Sequence, residues 1–141
     1  MDYEEIRLEK QLCFPIYACA KEITRRYRPY LDKIDLTYTQ YITMMVLWER
    51  RNICVKDLGS ILMLDSGTLT PLLKKLEQKR LIERKRSDED ERYLDICVTD
   101  KGLALRSEAC RIQENMCKSV NISEDEARTL KEILGKIMEN E

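Results

Sequence analysis

Apolar residues recur with a helical period along most of this chain and with a period of two in one place. Between residues 13 and 30, Phe14, Tyr17, Ala18, Ile23 and Tyr27 share one side of a helix, which Pro29 and residues 32–35 should end. Thr37 or Thr39 is placed to cap a second helix through Tyr41, Met44, Met45, Leu47 and Trp48, broken at residues 50–52. Val55, Leu58 and Leu62 predict a short third helix. After a polar turn at residues 65–67, Leu69, Leu72, Leu73 and Leu76 stand at i, i+3, i+4 and i+7 of a fourth, with Asp65 or Ser66 as its cap. Pro71 lies beyond the first turn, where proline is free, so a local distortion or a later helix start is expected.

The period then changes. Leu94, Ile96 and Val98 alternate with Tyr93, Asp95 and Cys97, a strand whose antiparallel partner is residues 81–86, across the charged turn SDEDER at residues 87–92. One long helix should run from about residue 102 to 120. Ser123, with Glu126 three residues on, forms a capping box for a last helix carrying Leu130, Ile133, Leu134 and Ile137. The expected fold is mostly α with a small β-hairpin wing: a winged helix-turn-helix. A single domain of residues 1–141 is expected. Residues 53–100 form its DNA-binding lobe, and the helices of 12–35 and 102–139 pack on a second copy in a twofold homodimer.

Composition narrows the chemistry. The chain has 141 residues, one domain's worth, with 36% charged residues and four glycines, a helix-favouring balance. The N-terminus MDYEEIRLEK is acidic and lacks the apolar core of a signal peptide. The longest uncharged stretch, residues 36–48, is thirteen residues, short of the roughly 20 that span a membrane. A cytoplasmic protein without a membrane partner is expected. There is no histidine and no C-x-x-C, which excludes His-based triads and makes the usual zinc sites and any cofactor unexpected. The six cysteines should be reduced at rest, so that a disulfide would be a signal rather than a staple.

Net charge is −1, so a nucleic-acid surface must be local. Residues 74–86, KKLEQKRLIERKR, hold seven Lys or Arg against two Glu. A solvated helix face would explain the run alone; its place, between a turn-helix pair and a hairpin, points to phosphates. The second helix of such a pair enters the major groove by its N-terminal end. That end is Asp65, Ser66, Thr68 and Thr70, with Lys74, Lys75 and Arg86 toward phosphates and Arg92 at the hairpin tip for the minor groove.

The candidate for chemistry is Cys13. Pro15 suits the first turn of a helix beginning near Leu12 or Cys13, whose positive dipole end favours a negatively charged sulfur. The alternative is a helix from Tyr3 that kinks at Pro15. Tyr17 lies one turn on, and a partner's Tyr27 can approach Cys13 in an antiparallel pair. Cys19, Cys54 and Cys97 are read as packing residues, and Met44, Met45 and Trp48 as core or pocket wall.

The element order and residues 64–102, LDSGTLTPLLKKLEQKRLIERKRSDEDERYLDICVTDKG, resemble the MarR family of dimeric bacterial repressors. Asp90, Arg92, Thr99 and Gly102 match its pattern, with Val98 in place of the usual Leu. QLCFPIYACAKEITRRYRPYL and IDLTYTQY, residues 34–41, are similar to the organic-hydroperoxide-sensing (OhrR-type) branch, with Thr39 where proline is common. The resemblance covers essentially the whole chain. It implies a redox-sensing Cys13, thiolate-stabilising Tyr27 and Tyr38 from the other subunit, and Tyr17 in the pocket. It further implies a repressor that binds double-stranded operator DNA when reduced and leaves it when organic hydroperoxide oxidises Cys13. In the two-cysteine form of that chemistry a late cysteine of the partner closes a disulfide; Cys117 aligns best, with Cys110 as the alternative. In the one-cysteine form a small thiol takes that place. The competing readings are a repressor released by a small aromatic ligand or by another oxidant such as hypochlorite or a quinone, and a thiol peroxidase.

Overall fold

A computed structural model describes residues 3–139 of the chain. Two short 3-10 turns, Tyr3–Ile6 and Leu8–Lys10, precede the first helix, α1 (Cys13–Leu31). The helix therefore starts at Cys13, not at Tyr3, and Pro15 sits at its third position. Pro29 does not end it. The proline lies in the last turn, where it costs one backbone bond, and the chain continues to Leu31 before a 3-10 turn at Asp32–Ile34. Asp35 then takes a left-handed conformation (φ 54°), one that Asp tolerates better than most residues.

Helix α2 (Tyr38–Arg50) is capped by Thr37: its side chain accepts from the Gln40 N–H, and the Gln40 side chain accepts from the Thr37 N–H. The predicted break at residues 50–52 contains a strand, β1 (Asn52–Cys54), too short for its alternation to be read. Helix α3 (Val55–Leu62) ends on Met63 in the left-handed region, with the Leu64 N–H closing onto the Gly59 carbonyl at 3.0 Å. A Cβ on Gly59 would stand 3.0 Å from the Leu64 carbonyl, so glycine lets this turn tighten. Helix α4 (Ser66–Gln78) is capped by the Asp65 carboxylate, which accepts from the Thr68 N–H at 2.8 Å. It begins at Ser66 despite Pro71, which lies exposed inside it, so the later start expected from that residue is not adopted.

Strands β2 (Ile82–Arg86) and β3 (Leu94–Val98) pair antiparallel with Arg84 opposite Ile96, and β1 adds to the far edge of β3. The long helix expected from residue 102 is two helices, α5 (Asp100–Ala104) and α6 (Arg106–Ser119). The break has a cause: the Gly102 carbonyl accepts the Trp48 indole N–H at 2.8 Å and the Leu105 N–H at 3.3 Å. A side chain thus intrudes on the helix's own ladder. Helix α7 (Glu124–Met138) starts with the predicted Ser123–Glu126 capping box.

The core gathers Leu47 and Trp48 of α2, Leu58 of α3, Leu69, Leu73 and Leu76 of α4, and Ile82 and Ile96 of the sheet. Leu31 of α1 and Ile112 and Met116 of α6 extend it. Two surfaces stay outside it. Only Tyr27 and Leu31 of α1 are buried, and nothing on α7 is. Phe14 and Tyr17 near the start of α1, and Leu130, Ile133 and Ile137 on α7, are exposed apolar side chains.

A tyrosine cluster beside two cysteines, and a basic helix

Cys13 opens α1 and is exposed. Leu12, before it, has helical torsions and makes no side-chain cap, so no side chain competes for the positive end of the helix there. A solvent-open groove along α1 begins with Phe14 and Tyr17 and is flanked by Lys21, Arg25 and Arg28. The Lys21 ammonium lies 5.3 Å from the centre of the Tyr17 ring. Glu22 on this helix is ion-paired to Arg25 and Arg26, whose hydrogen bonds hold its carboxyl down at about 2.

Tyr27 and Tyr38, the two tyrosines singled out by the family resemblance, pack against each other in one chain. Their ring centroids are 5.1 Å apart. The structure adds Tyr41, at 5.6 Å from Tyr27 and 6.4 Å from Tyr38, with Trp48 edge-on behind it at 6.2 Å. Tyr41 went unread as a site residue because its helical spacing is also that of the core, where it is almost wholly buried. Burial pushes the Tyr27 hydroxyl up to about 12, helped by Tyr41, Tyr38 and Cys117. Burial also raises Tyr41, with smaller contributions from Tyr38, Cys110 and Cys117. Both hydroxyls stay protonated at neutral pH, as donors.

Around this cluster run two cavities. One, of about 490 Å³, is lined by Ile23, Tyr27, Gln113, Met116 and Cys117; the other, of about 310 Å³, by Tyr41, Met45, Trp48, Arg106, Cys110 and Gln113. Met44 is core and Met45 a pocket wall. The Tyr27 hydroxyl donates to Gln113 Oε1 at 3.3 Å, and Gln113 Nε2 donates to Cys117 Sγ at 3.4 Å. Cys13 lies fourteen residues before Tyr27 on α1, roughly 21 Å along the axis. One chain therefore unites Tyr27, Tyr38, Gln113 and Cys117 but leaves Cys13 and Tyr17 apart from them. Cys54 and Cys97 are half-buried in the sheet; Cys19, expected as a packing residue, is exposed.

On the other side of the molecule, Ser66, Thr68 and Thr70 stand exposed on the first turns of α4, with Lys74 and Lys75 exposed one to two turns on. The basic run is not uniform. Lys79 donates to the Asp35 carbonyl and to Gln40 Oε1, tying α4 to α2. Arg84 makes a two-pronged pair with Glu77. In the wing, Arg86 donates to the Glu91 carbonyl at 2.9 Å, and Arg92 pairs with Asp90 at 2.7 Å, holding the Asp90 carboxyl below its usual range. Among the described residues no helix is long and apolar enough to cross a membrane.

Residues 25–108, spanning α1 to α6, match the family model of the SarA/Rot transcriptional regulators. An organic hydroperoxide resistance transcriptional regulator of Bacillus subtilis is 43% identical over 137 residues, 97% of this chain and 93% of that one. The chain is a MarR-type transcriptional regulator. The SarZ regulator of Staphylococcus aureus is 46% identical over 127 residues of this MarR-type chain, 90% of it and 86% of SarZ. Its fold matches AbfR of Staphylococcus epidermidis, solved reduced and bound to DNA (32% identical, TM-score 0.81, 98% and 96% of the two chains). The disulfide form of AbfR also matches (31% identical, TM-score 0.70, 96% of each chain). These relatives are regulators rather than enzymes, which removes the thiol-peroxidase reading.

Proposed function

We propose that this regulator is a cytoplasmic, homodimeric repressor that holds operator DNA when reduced and releases it when organic hydroperoxide oxidises Cys13. The observation that carries the reading is the split site. The tyrosine donors and Cys117 are assembled at one end of α1, while Cys13 stands exposed at the other. A second copy, packed antiparallel along the uncovered faces of α1 and α7, brings its Cys13 to the tyrosines. Tyr27 and Tyr38 then stabilise the thiolate by donating hydrogen bonds to it. Phe14, Tyr17 and the apolar groove walls favour an organic over an inorganic peroxide.

The chemistry balances as follows. The Cys13 thiolate attacks the outer, hydroxyl oxygen of the peroxide and the O–O bond breaks; the sulfur keeps that hydroxyl as the sulfenic acid, and the alkoxide takes a proton from solvent and leaves as the alcohol. The partner's Cys117 thiolate then attacks that sulfur and the S–O bond breaks. The oxygen leaves as hydroxide, which takes up the proton that Cys117 gave to solvent and becomes water, and an intersubunit disulfide remains. Closing it draws α1 of one subunit toward α6 of the other. The two α4 helices, which enter successive major grooves about 34–36 Å apart, lose their spacing. In this reading Ser66, Thr68 and Thr70 contact base edges, Lys74, Lys75 and Arg86 contact phosphates, and Arg92 leaves Asp90 for the minor groove.

The test combines a non-reducing gel with an operator-binding assay on reduced protein before and after one equivalent of cumene hydroperoxide. A dithiothreitol-sensitive dimer that forms as DNA is released, and is absent from Cys13→Ser and Cys117→Ser, is expected. Release of DNA from Cys13→Ser by hydroperoxide would overturn the reading. The cavity of about 310 Å³ beside Tyr41 and Trp48, with Arg106 at its edge, favours one second reading, release by a small aromatic anion. In that case Cys13→Ser responds to such a ligand as wild type does.

A further inference from the structure

Gln113 lies between the two late cysteines on α6, three residues after Cys110 and four before Cys117. It lines both cavities. Its side-chain amide nevertheless points one way: Oε1 takes the Tyr27 proton and Nε2 donates to Cys117 Sγ. A glutamine is suited to this, because one amide both accepts and donates. Cys110 has no such link to it and faces the Tyr41 cavity instead. Resting on the two-cysteine reading above, we infer that Gln113 is a positioning residue that holds Cys117 against Tyr27, and so selects Cys117 over Cys110 to resolve the partner's oxidised Cys13.

The argument has two steps. Tyr27 is buried, carries one hydroxyl proton and keeps it at neutral pH, so it can serve one acceptor at a time. In the resting chain that acceptor is Gln113; in the dimer the partner's Cys13 thiolate competes for the same proton. Until the partner's sulfur takes that proton, Gln113 keeps Cys117 within one amide length of Tyr27, where that sulfur arrives. The sulfenic sulfur thus forms facing a thiol already held in one orientation, so that closing needs the helices to move but not Cys117 to search for its direction. Cys110, one helical turn from Gln113 on the other side, lacks that tether. The step itself is the one balanced above, with hydroperoxide as oxidant and alcohol and water as products; Gln113 forms and breaks no covalent bond.

Two variants separate positioning from folding. Gln113→Leu removes both hydrogen bonds. Gln113→Glu keeps an acceptor for Tyr27 but cannot donate to Cys117. Gln113 is exposed, so both should fold, as circular dichroism will check. In full-length reduced dimers mixed rapidly with cumene hydroperoxide, the readouts are the rate of disulfide closure relative to Cys13 oxidation and the share of Cys13 joined to Cys117 or to Cys110. Closure should slow about tenfold relative to oxidation in both variants, as expected for loss of one orienting hydrogen bond, and a Cys13–Cys110 product should appear. An unchanged ratio and an unchanged Cys117 share in both variants, with wild type closing normally, would overturn the role of Gln113 and leave the two-cysteine switch standing. A wild type that reaches sulfenic acid and joins neither cysteine would overturn the two-cysteine switch, and the role of Gln113 with it.

Discussion

Gly102→Ala isolates the joint between α5 and the wing. A Cβ at this position would stand 2.3 Å from the Leu81 carbonyl oxygen, 2.8 Å from Val98 Cγ2 and 3.1 Å from Met44 Cε. The first of these is backbone, and it cannot retreat freely because Leu81 O already accepts the Thr99 N–H at 3.1 Å. The added methyl must therefore push α5 away from the turn before β2. Overpacking of this kind costs about 1–3 kcal/mol. Displacing the helix also strains the Trp48 indole bond to the Gly102 carbonyl, worth about 0.5–1.5 kcal/mol. Alanine's better helix propensity returns about 1 kcal/mol. The net loss is about 2 kcal/mol, or roughly 6–8 °C in Tm for a chain of this size. Thermal melts by far-ultraviolet circular dichroism, on reduced protein at one fixed concentration, read it directly. Gly67→Ala, also within a helix, is the control: its Cβ meets only the exposed Asp65 carboxylate at 3.3 Å, and its Tm should not fall. A Gly102→Ala protein as stable as Gly67→Ala would refute the claim that this contact is fixed.

Two further outcomes test the electrostatics. Lys74→Ala and Lys75→Ala should each weaken operator binding without changing sequence preference, and each should lower the salt slope of log K by about one; an unchanged slope removes that lysine from the phosphate contacts. Tyr27 is raised from 10 to about 12 in the folded chain, so its contribution to stability is complete below pH 10 and lost as pH rises through about 12. Denaturant titrations at pH 9 and 11 should show that loss in wild type and a smaller one in Tyr27→Phe.

The elements that carried side-chain periodicity over a turn or more were legible in the sequence, as were the caps at Thr37, Asp65 and Ser123, because both signals are local. Strand β1 was not, since three residues carry no period and its partners on β3, Asp95 to Cys97, lie more than forty residues on. The break at Leu105 was hidden for a similar reason: it is made by Trp48, a long-range donor. The tyrosine pair was read from a family motif, but Tyr41 and Gln113 needed the packing of α1, α2 and α6 to be recognised. The basic run read as one surface, whereas Lys79 and Arg84 are spent on holding α4 to its neighbours.

The distance along α1 between Cys13 and Tyr27 has a genetic consequence. In the proposed two-cysteine switch, a sensing centre drawn from two chains belongs to neither gene copy alone. A Cys13→Ser chain and a Cys117→Ser chain would pair into a dimer with one damaged centre and one intact, so hydroperoxide would close one disulfide in the mixed dimer and none in either parent homodimer.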